Sequence, residues 1–261
     1  MIPERALPLL ERVAPLAKAF SAAGHRLYLV GGVVRDILAN EDLGAEDVDL
    51  TTDAGPERIK ELVAPLAEAM WTQGERFGTI GATIDGEPFE ITTHRAEVYR
   101  SDSRKPEVAF SGTDLLTDLE RRDFTVNAMA LEVTGSEPGL IDPFGGTDDL
   151  VNRRLRTPMA AEISFNDDPL RMMRAARFIA RFGLVPDPEL VSAVRVGAER
   201  LGIVSAERVR DELCKLVVVD DPSAGLWFLC DTTLAEVVLP ELPAMRVEQD
   251  PIHRHKDVLT H

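Results

Sequence analysis

Three carboxylates, a double glycine and two groups of arginines carry the chemistry open to this chain. Asp47 and Asp49 flank Val48. In a β-strand, residues two apart face the same side, so both carboxylates project together while Val48 turns into the core. Paired carboxylates repel one another unless a cation lies between them, and metal-assisted phosphoryl transfer supplies that cation. Upstream, apolar residues 27–30 run into Gly31-Gly32-Val33-Val34-Arg35-Asp36-Ile37-Leu38. A strand, a glycine turn and a helix start bring backbone N–H groups up to a phosphate. The reading is a nucleotide held by Gly31, Gly32 and Arg35, with Mg²⁺ held by Asp47 and Asp49. Taken singly, a double glycine is also an ordinary turn and an Asp-x-Asp a solvated strand end. Their order and close spacing favour the site.

Glu90, in the strand-like run Phe89-Glu90-Ile91-Thr92, stands where a neighbouring strand could add a third carboxylate. Arg121-Arg122-Asp123-Phe124-Thr125-Val126-Asn127-Ala128 puts two arginines beside an apolar run, an electropositive edge suited to a triphosphate. Within residues 165–182, Pro169 suits a first helical turn capped by Asn166, Asp167 or Asp168, and the helix sets Met172, Ala175, Ala176 and Ile179 on its packed side with Arg171, Arg174, Arg177 and Arg181 as a stripe opposite. Asp168 and Arg171, three apart, are neighbours at the edge of that stripe. The Watson–Crick edges of cytosine and adenine both set an exocyclic amine beside a bare ring nitrogen, so an accepting carboxylate and a donating guanidinium fit either base. Guanine and uracil present the reverse order, at ~1–3 kcal/mol for each buried group left unpaired.

The elements that must position these groups divide at residues 155 and 156. Before that point the chain reads as mixed α and β. Residues 3–22 form a packing helix stopped near Gly24, and a second helix starts at Gly55-Pro56. Strands at 80–84 and 89–92 flank an Asp85-Gly86 turn. Residues 94–106, polar and of mixed charge, read as a mobile loop, and a short helix is expected over 114–122. Beyond residue 156 the chain reads as nearly all helix. The expected fold class is α+β: a mixed-sheet head followed by an all-helical neck over 156–248.

The chain has 261 residues and a formal net charge of −16, which argues against general nucleic-acid binding through Lys and Arg. Any RNA contact must use locally concentrated basic residues. No apolar run is long enough to span a bilayer, and the N-terminus lacks a basic-then-apolar signal pattern. A soluble, cytoplasmic protein is expected. Cys214 and Cys230 are too few for a disulfide framework or a zinc site, and both read as buried thiols.

In order and spacing, the strand-GG-helix, the Asp-x-Asp, Glu90-Ile91-Thr92-Thr93, the Arg-Arg-Asp-Phe-Thr-x-Asn-Ala string, Ile141-Asp142-Pro143-Phe144-Gly145-Gly146 and Asp168-Pro169-Leu170-Arg171 resemble the class II tRNA nucleotidyltransferases and bacterial poly(A) polymerases. These belong to the DNA polymerase beta superfamily. The resemblance covers roughly 27–230. It implies a polymerase-beta-like head, Mg²⁺ on Asp47 and Asp49 with Glu90 assisting, and addition of C and A (CCA) to the tRNA 3′ end from CTP and ATP. It further implies nucleotide contacts from Arg122, Arg174 and Arg177, and base reading by Asp168 and Arg171. Asp167 stands where the family usually has Glu. Arg104-Lys105-Pro106 resembles the end of a loop that switches the family from C to A, which counts against a C-only enzyme. Residues 205–213 resemble the neck helix. Residues 249–261 resemble the start of an HD phosphohydrolase domain cut short, with no working hydrolase. A poly(A) polymerase or A-only enzyme uses the same parts, and a non-catalytic nucleotide- or RNA-binding module is the third reading.

Overall fold

The computed structural model describes residues 3–40, 48–94, 96–98, 107–109 and 114–245. Asp47, the Arg104-Lys105-Pro106 triplet and the segment resembling an HD domain start lie outside them. The chain divides into two compact units, 1–151 and 152–261.

The first unit is built on a seven-stranded sheet. Its strands are β1 (Leu27–Val30), β2 (Val48–Thr52), β3 (Ala69–Trp71), β4 (Thr79–Ile84), β5 (Glu87–Thr93), β8 (Ala130–Glu132) and β9 (Gly139–Ile141). They lie in the order β3-β4-β5-β2-β1-β8-β9. Only β2 and β5 run parallel; every other neighbour is antiparallel. The Asp85-Gly86 turn joins β4 to β5 with φ of 50° and 77°, the two positive values of a tight hairpin turn whose twist matches that of its strands. β6 (Ala96–Val98), inside the loop expected over 94–106, pairs antiparallel with β7 (Glu107–Ala109), just beyond it.

Alternation decides which side of the sheet is covered. Leu27 and Leu29 of β1, Val48 and Leu50 of β2, and Phe89 and Ile91 of β5 join one core with Leu9, Val13, Leu16 and Phe20 of α1 (Leu7–Ala22). That core also takes Ile37 of α2 (Gly32–Ala39) and Ile59 and Val63 of α3 (Pro56–Val63). The opposite side carries a small cluster of Tyr28, Val30, Ala128, Ala130 and Leu119, the last from α4 (Leu115–Glu120). Helix α5 (Gly146–Val151) closes the unit; Asp142 caps it by accepting from the N–H groups of Gly146 and Thr147 at 2.7 and 2.9 Å.

The second unit holds α6 (Ala161–Asp167), α7 (Leu170–Phe182), α8 (Pro188–Gly197), α9 (Ala206–Val217), α10 (Ser223–Asp231), α11 (Leu234–Val238) and α12 (Glu241–Ala244). Arg154–Leu155 (β10) and Val185–Pro186 (β11) form a short parallel pair within this unit. The helix expected to open at Pro169 is α7, and α6 precedes it. Asp168 leaves helical geometry at φ −138°, ψ 99° before Pro169, as a residue preceding proline is disposed to do. Helix α7 packs against α9 and α10 and buries Met172, Met173, Ala175, Ala176, Phe178 and Ile179. Arg177 is buried too, which removes it from the expected open stripe. Cys230 is buried, but Cys214 is exposed on α9, whose inner positions are taken by Glu212 and Leu216. Among the described residues, no helix is long and apolar enough to cross a membrane.

Gly225 lies at a close approach of α10 to α7. A Cβ there would lie 2.5 Å from the Ala176 carbonyl oxygen and 2.6 Å from Leu216 Cδ1. Gly225→Ala is expected to force the helices apart and lower the stability of this unit by about 1–3 kcal/mol, read as a lower urea midpoint.

Candidate active site

The site is built where β2 and β5 run side by side. In their register Asp49 stands opposite Glu90, between the buried pairs Val48 with Phe89 and Leu50 with Ile91. Because the flanking residues fill the core, both carboxylates point to the other face of the sheet. Asp49 is exposed there and Glu90 half-buried. Two acidic side chains on neighbouring strands, turned away from the core, are a donor set for a hard, oxygen-preferring divalent cation. Among the described residues no group of three or more His, Cys, Asp or Glu side chains gathers for a metal, and Asp47 is outside that set.

Gly31 joins this pair to the arginines. It adopts φ 75°, ψ −136°, a conformation essentially confined to glycine. A Cβ at this position would lie 3.1 Å from Arg122 Nη1 and 3.8 Å from Asp49 Oδ2. The absent side chain thus leaves room for a guanidinium and a carboxylate against the backbone. Arg122 Nη2 donates to the buried Asp118 at 3.3 Å, while its Nε is buried with no hydrogen-bond partner among the described residues. A buried donor without a partner is costly and suits an anionic ligand.

Arg35 is buried beneath the glycine turn, with Nη2 3.4 Å from the position of a Gly32 Cβ. Its Nε and Nη2 meet Asp36 Oδ1 at 2.8 and 2.7 Å, and its Nη1 donates to Asn127 Oδ1 at 2.7 Å. Asn127 Nδ2 in turn donates to Asp123 Oδ1 at 3.0 Å, which also accepts the Phe124 N–H at 2.8 Å. One network therefore locks the glycine turn to the Arg-Arg-Asp-Phe-Thr segment. Thr125 Oγ1 extends it by donating to the fully buried Asp149 at 2.7 Å.

In the second unit, Asp168 Oδ1 accepts the Leu170 N–H and Oδ2 accepts from Arg208, each at 3.2 Å. Arg171 Nη1 donates to Ser164 Oγ at 2.7 Å. The buried Glu212 receives Arg177 Nε at 2.8 Å and lies 3.8 Å from Arg174 Nη1, so a single carboxylate orients both guanidiniums.

Sequence reasoning missed Asn127, Asp118, Glu212 and His94. His94 directly follows the Glu90-to-Thr93 run, and that adjacency was the one available signal. It helps to line a cavity of about 480 Å³ with Arg26, Tyr28, Asp53 and Asp114. Thr51 Oγ1 donates to the Thr92 carbonyl at 3.1 Å and lies 3.0 Å from His94 Nδ1. With its proton committed to Thr92, the hydroxyl accepts from Nδ1–H. Burial holds the His94 pKa below the ordinary histidine range, against the opposing pull of Asp118, Asp53 and Asp114. Burial raises that of Tyr28, beside it.

Comparison with known proteins identifies what this chain is similar to. A family model described as the poly(A) polymerase head domain matches residues 27–156. A second, described as a probable RNA- and SrmB-binding site of polymerase A, matches 183–245. The chain is 36% identical over 236 residues to the CCA-adding enzyme of Lactobacillus johnsonii, covering 90% of this chain and 56% of that protein. The structure of the Bacillus stearothermophilus CCA-adding enzyme in complex with CTP superposes with a TM-score of 0.77 at 33% identity, over 87% of this chain and 53% of the other. That of the Thermotoga maritima CCA-adding enzyme complexed with tRNA gives 0.71 at 26% identity, over 96% and 55%. The chain thus spans little more than half the length of these relatives.

The depressed His94 pKa has a consequence for stability. The unfolded chain takes up a proton near pH 6.5, whereas the buried imidazole resists it. The neutral ring's contribution is therefore intact above about pH 6.5 and is lost as pH falls toward the folded value. His94→Gln is expected to shrink the fall in unfolding free energy between pH 7.5 and 5.5 by up to about 1 kcal/mol, measured by urea titration at both values.

Proposed function

The chain belongs to the family of the poly(A) polymerase head domain, and from that premise we propose that it adds C and A to the 3′ end of tRNA, using CTP and ATP. The observation that carries this reading is the Asp49 and Glu90 pair standing next to Gly31 and Arg122. In it, Asp47 and Asp49 hold Mg²⁺, with Glu90 as the third carboxylate. When bound, the metal lowers the pKa of the attacking 3′-hydroxyl and offsets charge on the leaving pyrophosphate. Gly31 and Gly32 present backbone N–H groups to the triphosphate. Arg35, fixed by Asp36 and Asn127, and Arg122, carrying a donor without a partner, supply the positive charge around it. The charge is in place before the ligand arrives, so none of it has to be reorganised during reaction.

Asp168 and Arg171 are assigned to the base, and Arg174 and Arg177 to the nucleotide's polar groups. A carboxylate can only accept and a guanidinium only donate, so the pair suits the amine and bare ring nitrogen shared by cytosine and adenine. A protein template in this form needs no nucleic-acid template. The net charge of −16 fits a protein that grips RNA locally and not along its length. A cytoplasmic setting is part of the same proposal.

The test is extension of tRNA transcripts ending before CCA, after C and after CC, with Mg²⁺ and CTP, ATP or both. Growth that stops at CCA is expected; long A tails, or A added only to the CC-ended substrate, would replace the proposal with the poly(A) polymerase or A-only reading. Asp49→Asn should reduce extension to background while leaving the unfolding free energy from urea titration within about 0.5 kcal/mol of the original chain, as for an exposed position. Arg171→Ala should lower the preference for CTP over UTP by roughly ten- to a hundredfold, the effect of about 1–3 kcal/mol at one hydrogen-bonding position. An equal loss of rate with all four nucleotides would refute the base assignment.

A further inference from the structure

We infer that Ser164, a residue that touches no substrate, is a positioning residue that sets base choice by holding Arg171 in register with Asp168. The inference rests on the assignment of those two side chains to the base. Ser164 is fully buried in α6 and contacts both of them. Its carbonyl oxygen accepts the Asp168 N–H at 3.2 Å and lies 3.4 Å from Arg171 Nη1. Its hydroxyl accepts from that same Nη1 at 2.7 Å. The Asp168 carbonyl closes the circuit by accepting the Arg171 N–H at 3.0 Å. The backbone of the acceptor residue and the side-chain head of the donor residue are thereby tied to one buried serine.

The contacts differ in strength. Asp168 Oδ2 also pairs with Arg208, but that pair is exposed, with side-chain accessibilities of 56% and 34%, and exposed ion pairs hold geometry weakly. The bond from Arg171 to Ser164 Oγ is short and charge-assisted, and its acceptor is shut off from water. It is a contact able to restrain a side chain with as many rotatable bonds as arginine.

That restraint bears on selectivity because the two classes of base differ only in the order of donor and acceptor along one edge. A guanidinium held beside the ring nitrogen of cytosine meets the N–H of uracil donor to donor. Released, it can swing toward the uracil O4 and relieve the mismatch. Losing the hydroxyl therefore weakens CTP and favours UTP in relative terms. Recognition of this kind requires the reading groups to be held within about half an ångström of their working positions by residues behind them.

The experiment is equilibrium binding of CTP and UTP to the 261-residue chain and to its Ser164→Ala and Ser164→Thr variants. The original chain should prefer CTP. Ser164→Ala should cut the CTP-to-UTP affinity ratio about tenfold, and Ser164→Thr, which keeps the hydroxyl, should restore most of it. An unchanged ratio in Ser164→Ala, or equal weakening of both nucleotides, would overturn the inference while leaving the base assignment standing. No preference for CTP in the original chain would remove the assignment, and the inference with it.

Discussion

The parallel registration of β2 with β5 is the constraint on which the head unit depends. It sets Asp49 across from Glu90 on strands about 4.8 Å apart. Like charges at that spacing repel by about 1 kcal/mol in water, and by several times more where the dielectric is lower. The other face of the same two strands opposes that cost. Val48, Leu50, Phe89 and Ile91 are all nearly or fully buried there, each stabilising by about 1.5–3 kcal/mol. Burial exceeds repulsion by a wide margin, so the acidic pair is held by the hydrophobic core behind it and persists without a bound ion.

The second unit follows similar logic with charge instead of oil. Glu212 is a buried carboxylate, which would be untenable alone. Arg177 and Arg174 neutralise it, and in return their guanidiniums are fixed relative to α7. In the head, Arg35 and Asp36 form the matching buried pair, tied through Asn127 to Asp123. Buried ion pairs of this kind add little net stability, because desolvation offsets most of the attraction. Their use is geometric: each fixes an arginine next to a segment with an assigned role in nucleotide binding.

Local patterns made much of this legible in the sequence. The glycine turn, the Asp85-Gly86 hairpin, the inward-facing Val48 and the helix capped by Asp114 all follow from period, turn chemistry and capping within a few residues. The long-range partners did not. Nothing in the order of residues says that Arg35 will be buried against Asn127, or that Arg177 will leave its stripe for Glu212, because those choices are made by helices packing from elsewhere in the chain. The exposure of Cys214 has the same origin. The helix start at Pro169 was readable from the proline and the polar residues before it, and α7 begins there. Recognition of several motifs in sequence conveyed more about the site than any single one, whereas Ser164 and His94, lying outside the motifs, needed coordinates.

The hairpin and the parallel pair also differ in when they can form. Strands β4 and β5 are joined by two residues, and a hairpin of that kind closes in microseconds. Pairing β2 with β5 must wait for the intervening α3, β3 and β4, a loop of about forty residues whose closure costs chain entropy before any contact repays it. The two carboxylates are therefore kept apart through the early stages of folding and are brought together only as the apolar faces of their strands join. Mutual repulsion then falls on the later part of the pathway, where the hydrophobic core forming behind the pair is already present to oppose it.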